Sequence, residues 1–244
     1  MQKYFDIFLE FDRTNTDKLI DKNILEKKRG YVCVVDGNVL ANCTKNNSYK
    51  EIINNSLVNI CDGSSIAMLA GIIHRKKFKT YTGPEIFSKY IQLPYKQFFL
   101  GNTPKNLTLL KKQFIKLGYD INNFKFASLP FSNVDEFDYI DISKKINEFN
   151  PDIIWVSLGA PKQEFFISKI YPYIGSGILI GIGAAFNLYL GEFNNTRAPF
   201  LLRKLNLEWL YRVVKEPKRV GKRAINYLKL IPLLIFNEIK FKKK

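Results

Sequence analysis

Residues 152–170 read DIIWVSLGAPKQEFFISKI, and this stretch decides the fold. Residues 152–158 form a short apolar run rich in β-branched side chains, uncharged after its first residue. That pattern predicts a buried strand. Gly159-Ala160-Pro161 breaks the run, and proline suits the opening of a helix. Residues 162–170 supply that helix, with Phe165, Phe166 and Ile170 as its apolar positions. Lys162, Gln163 and Glu164 therefore stand in a first helical turn at the carboxyl edge of a strand, where open α/β sheets take their ligands. An acidic residue near a helix N-terminus is also favourable with no ligand at all.

The same unit recurs along the 244 residues. Strands are expected at 4–11, 31–40, 57–61, 97–101, 124–127 and 177–182. Helices are expected at 18–28, 49–55, 66–73, 105–117 and 140–149. Alternating strands and helices predict an α/β fold: a Rossmann-like, mostly parallel sheet with flanking helices. Asp36-Gly37-Asn38 interrupts the second strand region and could form a tight hairpin turn. The glycines near residue 181 lack the third glycine of a dinucleotide fingerprint, which argues against a nicotinamide oxidoreductase.

Charge is unevenly placed. The chain holds 38 Lys and Arg against 22 Asp and Glu, a net of +16. Residues 197–244 alone carry a net of +11. The division expected is an α/β domain over residues 1–195 and a basic helical appendage over 196–244. A basic tail on a near-neutral body suits a polyanionic surface, anionic lipid or nucleic acid. Past Pro217, helical spacing puts Lys218, Arg219, Lys222, Arg223 and Lys229 on one side, and Val220, Ala224, Tyr227, Leu228 and Ile231 on the other. This is the composition of an interfacial membrane helix; a helix docked on the domain would show it too. No uncharged run reaches membrane-span length, and the N-terminus has no signal-peptide core, so membrane contact would be peripheral. Cys33, Cys43 and Cys61 lack CxxC spacing and read as reduced core thiols of a cytosolic protein. His74 is the one histidine and reads as a solvated helix end, so no metal site is expected.

Several strand ends carry candidate groups. Asp62-Gly63 follows a strand; the aspartate could cap the next helix, or act as a general base. Ala41 to Asn46 reads as a strand end, where Thr44 and Asn46 could meet a ligand or cap the following helix. Gly101 sits on a strand–turn–helix unit of the kind that presents N–H groups to phosphate.

Gly159-Ala160-Pro161-Lys162-Gln163-Glu164 resembles the signature of the WecG/TagA/CpsF glycosyltransferases (glycosyltransferase family 26). So do Arg197-Ala198-Pro199, Leu207-Glu208-Trp209-Leu210-Tyr211-Arg212 and Glu216-Pro217-Lys218-Arg219 in the tail. The resemblance implies a membrane-associated inverting enzyme at the inner face of the bacterial cell membrane. It would move a sugar, N-acetylmannosamine or a relative, from UDP to a sugar on undecaprenyl diphosphate, for a surface polysaccharide or teichoic acid. It implies Asp62 as catalytic base and Thr44, in a Thr-x-Asn motif with Asn46, near the donor sugar. Gly101, Gly159, Pro161, Lys162, Gln163, Glu164, Gly183 and Asn187 would hold the UDP-sugar. Arg212, Arg219, Lys222 and Arg223 would meet the acceptor diphosphate or the membrane. No cofactor is implied, and a homo-oligomer is left open. Four departures stand out. The segment from Thr44 to Asp62 is shorter than the family usually has, Thr80 occupies a place where the family often has Arg, Glu85 replaces Asp, and Asn187 replaces Asp. The alternatives are a UDP-sugar-binding protein without catalysis and a basic nucleic-acid-binding α/β protein.

Overall fold

The structure is a computed structural model and describes residues 1–190, 199, 202, 211, 213, 214, 217 and 221–242. Six strands form one parallel sheet: β3 (Arg29–Val35), β4 (Val58–Cys61), β5 (Gln97–Gly101), β6 (Phe124–Ala127), β7 (Ile153–Ser157) and β8 (Gly177–Gly181). Their order across the sheet is β4-β3-β8-β7-β5-β6. The α/β expectation holds.

The central strands β3, β5, β7 and β8 are apolar on both faces, as a sheet covered on both sides requires, while edge strand β6 carries exposed Lys125. Cys33, Val35, Phe98, Leu100, Ile154, Val156 and Leu179 face one core. Val32, Phe99, Trp155, Ile178 and Ile180 face the other. Helices α2 (Gly37–Lys45), α3 (Asn47–Asn54), α4 (Ser64–His74), α7 (Tyr139–Phe149) and α8 (Lys162–Ile170) cover the first. Helices α1 (Arg13–Leu25), α5 (Gly83–Tyr90) and α6 (Pro104–Lys116) cover the second.

Three local readings change. Residues 4–11 are not one strand: β1 (Gln2–Tyr4) and β2 (Ile7–Leu9) pair antiparallel around Phe5 and Asp6, both at positive φ. Glu10 then runs beside β4, its N–H donating to Asn59 O at 2.8 Å, so the hairpin covers that sheet edge. Helix α1 begins earlier than expected because Asp12, not a residue of 14–17, caps it. Residues 31–40 are not a hairpin: β3 stops at Val35 and Asp36 caps α2.

A C-terminal helix, Lys222–Lys242, lies against α2 and α4 and contains Pro232. Its residues Tyr227, Leu234 and Glu238 are buried. Leu228 is half exposed, at 50%, rather than on the docked side as the helical spacing had suggested. His74 is not a solvated helix end: its Nε2 lies 2.7 Å from Glu238 Oε1. The other Glu238 oxygen accepts the Phe5 N–H at 2.6 Å. One buried carboxylate thus joins the N-terminal hairpin, the end of α4 and the C-terminal helix. The three cysteines are free and buried, as expected, and burial pushes Cys43 and Cys61 up to about 12.

Candidate active site

The carboxyl ends of the parallel strands form one edge, and Asp62 stands where β4 reaches it. Its N–H donates to Val35 O at 2.9 Å. Its Oδ1 accepts the Gly83 N–H at 3.1 Å, in the first turn of α5. Helix α4 takes Gly63 as N-cap, so Asp62 does not cap it. A Cβ on Gly83 would lie 3.8 Å from Ile182 O. Helix α5 therefore leans its N-terminus, and Asp62 with it, toward the turn after β8. The capping box of Thr82 with Glu85 fixes that end of α5.

Sequence reading missed Asp36. Val35 pairs with Cys61, so Asp36 and Asp62 follow paired residues on adjacent strands. Asp36 Oδ1 accepts the Asn38 and Val39 N–H groups at 2.9 Å each. The signal was present: apolar-Asp-Gly occurs at 35–37 and again at 61–63. Tyr227 seats over this corner. A Cβ on Gly37 would lie 2.8 Å from the Tyr227 ring, and Ser65 Oγ is 3.3 Å from the Tyr227 hydroxyl.

Thr44 and Asn46 are not at a strand end. Thr44 lies in the last turn of α2, its Oγ1 donating to Ala41 O at 2.9 Å. At 1.5 Å per residue that is about 12 Å along the helix from Asp36. Asn46 caps α3, its side chain accepting the Tyr49 N–H at 3.0 Å. The end of β3 carries Asp36-Gly37-Asn38.

The turns after β7 and β8 are tied together by Gln163. Its Oε1 accepts Gly159 N–H at 3.2 Å and Gly183 N–H at 2.9 Å. Ser157 Oγ adds a bond to Gly183 O at 2.6 Å. Gly181 makes room, since a Cβ there would lie 3.2 Å from the Gln163 amide. Beneath, Gln163 Nε2 donates to Glu164 Oε1 at 2.7 Å, and the Tyr49 hydroxyl donates to Glu164 Oε2 at 3.0 Å. Glu164 is only 1% exposed, and burial pushes its carboxyl up to about 7 against those two hydrogen bonds. Glu164 thus lies under the edge, not on its surface.

The other predicted positions are scattered along the same edge. Gly101 has φ +100°, and a Cβ there would lie 2.9 Å from Ser157 O, so the ends of β5 and β7 touch. Pro161 is exposed and follows a cis peptide bond. Lys162 Nζ donates to Ser132 O and lies over the Phe131 and Phe137 rings, which ties it to the loop before α7. Asn187 Oδ1 is buried with no hydrogen-bond partner among the described residues. Among the described residues, no three His, Cys, Asp or Glu gather as metal ligands.

A family model described as the glycosyl transferase WecG/TagA/CpsF family matches residues 5–244. The chain belongs to this family. It is similar to the N-acetylglucosaminyldiphosphoundecaprenol N-acetyl-beta-D-mannosaminyltransferase of Staphylococcus aureus strain MW2, 25% identical over 88% of this chain and 81% of the relative. The protein of that name from strain MRSA252 is 26% identical over the same shares.

In this WecG/TagA/CpsF member a cation does reach Thr80. Arg13, from α1, donates to Thr80 O through Nε at 3.0 Å and Nη2 at 2.7 Å, and pairs with Glu85 at 2.8 Å. Arg212 and Arg219, with the 207–212 and 218–219 segments, lie outside the described residues. Lys222 and Arg223 open the C-terminal helix.

Proposed function

We propose that this glycosyltransferase moves N-acetylmannosamine, or a close relative, from UDP to an N-acetylglucosaminyl diphosphate carried on undecaprenol. The family assignment supports the class, and the names of the staphylococcal relatives support the donor and acceptor. The observation that carries the site is the Asp62 carboxylate, which accepts the Gly83 N–H at the sheet's carboxyl edge. From β4 to β7 is three inter-strand steps, about 14 Å, which suits an extended nucleotide-sugar laid along the edge.

The reaction we infer is a single inverting displacement. Asp62 takes the proton of the acceptor hydroxyl as its oxygen attacks the anomeric carbon, and UDP leaves with the bonding pair. The N-terminus of α5 lies beside this carboxylate. Asp36, rather than Thr44, stands next to the attacking group and accepts hydrogen bonds from a sugar. Asn187 offers its carbonyl oxygen, which has no hydrogen-bond partner among the described residues, to an N–H of the base. Arg13, Lys222 and Arg223, with Arg212 and Arg219, are the cations assigned to the two diphosphates.

We also infer peripheral attachment to an anionic membrane. Ile225, Leu228, Phe236 and Ile239 recur at helical spacing on the C-terminal helix and are 42–65% exposed. Among the described residues no helix is long and apolar enough to cross a membrane. The test is turnover of UDP-N-acetylmannosamine with a lipid-linked N-acetylglucosaminyl diphosphate. Asp62→Asn is expected to lower the rate on the order of 100- to 10,000-fold while UDP still binds. Retained turnover would reject Asp62 as the base.

A further inference from the structure

A buried acid that touches no solvent needs a reason, because burying a carboxylate is costly unless it is well bonded. Glu164 has two side-chain partners, and one is the amide that bridges the strand ends. An amide has one acceptor end and one donor end. With Nε2 on the carboxylate, Oε1 must face the Gly159 and Gly183 N–H groups. Reversed, the NH₂ would meet two N–H donors. Tyr49, from α3, holds the carboxylate on its far side, so the orientation is set from outside α8.

We propose that Glu164 is a positioning residue for the donor site, acting through the Gln163 amide to set the spacing of the Gly159 and Gly183 turns. This rests on the glycosyltransferase reading for what the cradle between those turns holds. The two glycine N–H groups are engaged by Gln163, so their task is to fix the floor of the cradle. Neutral glutamine at position 164 serves as well: its carbonyl accepts from Gln163, and its NH₂ donates to the Tyr49 oxygen once that hydroxyl turns.

The test uses the full chain and two readouts. The first is hydrogen exchange at the Gly159 and Gly183 amides, with Ile154 and Leu179 as internal references. The second is the split between donor KM and kcat. Glu164→Leu is expected to speed exchange at both glycines at least tenfold and to raise donor KM about tenfold, with kcat within threefold. Glu164→Gln is expected to stay within threefold of wild type in both. Gln163→Glu sets two carboxylates together and should lose the protection; Gln163→Glu/Glu164→Gln reverses the network and should restore it. This pair decides the matter if Glu164→Leu fails to fold. Protected glycines with an unchanged KM in Glu164→Leu would overturn the proposal. So would a Glu164→Gln variant as damaged as Glu164→Leu, or a double variant no better protected than Gln163→Glu. If wild type turns over no UDP-sugar, the donor reading fails, while the exchange data still judge the positioning role.

Discussion

Glu164 also ties stability to pH, and the sign follows from its carboxyl. Its ordinary value is 4.5, and in the fold it rises to about 7. Between these values the folded chain holds a proton that the unfolded chain releases, so this group's contribution to stability falls as pH rises. Above about pH 7 the penalty is fully present, on the order of 3 kcal/mol. Glu164→Gln removes it. The variant is expected to be more stable than wild type in urea at pH 8, with the gap closing toward pH 5. Gly101→Ala acts in the opposite direction. Its Cβ would press on Ser157 O in a backbone region only glycine favours, costing roughly 2 kcal/mol by urea denaturation. At this scale the sequence disclosed that Gly159 to Glu164 mattered, but not how. The partner that explains Glu164 is Tyr49, which is 115 residues away. Thr44 was misplaced because it lies in a helix that was taken for a strand.

That helix is the instructive element. Residues 31–40 are apolar on both sides of Asp36-Gly37-Asn38, and Asp-Gly between apolar runs signals a hairpin. The parallel neighbours of β3 leave no room for one, and Asp36 instead caps a helix with the same residues. By contrast β5 falls where the local pattern puts it, since a buried parallel strand reads as an apolar run, and edge strand β6 falls in place through its alternation of Phe124 and Phe126 with exposed Lys125. The C-terminal helix was legible as amphipathic, and Tyr227 and Ile231 of its expected apolar side do dock, but Leu228 does not, and buried Glu238 joins the docked side. Glu238→Ala would leave the Phe5 N–H and His74 without their shared acceptor, at a cost of about 2–3 kcal/mol. Limited proteolysis should then cut within 225–242 well before the sheet is attacked. Unchanged protection of that helix would show that Tyr227 and Leu234 hold it alone.

For the whole molecule, charge and apolar exposure point the same way. Net charge is +16, concentrated in the tail, beside a stripe of exposed Ile, Leu and Phe. Pelleting with phosphatidylglycerol vesicles is expected to fall several-fold between 0.1 and 0.5 M salt, as screening shortens from about 10 Å to about 4 Å. Residual binding at high salt would measure the apolar share. Composition announced this balance, and strand–helix alternation announced the fold class. The order of the strands was not legible, because pairing depends on contacts between distant segments.

The clasp between Phe5 and Glu238 sets a timetable for biogenesis. The ribosome makes the two partners 233 residues apart. At 5–20 residues per second the first must wait roughly 10 to 50 s for the second. Until then the opening hairpin lacks the acceptor that Glu238 supplies to the Phe5 N–H. A nascent chain stalled before residue 238 should therefore show a β1–β2 segment open to protease while the central sheet has already closed.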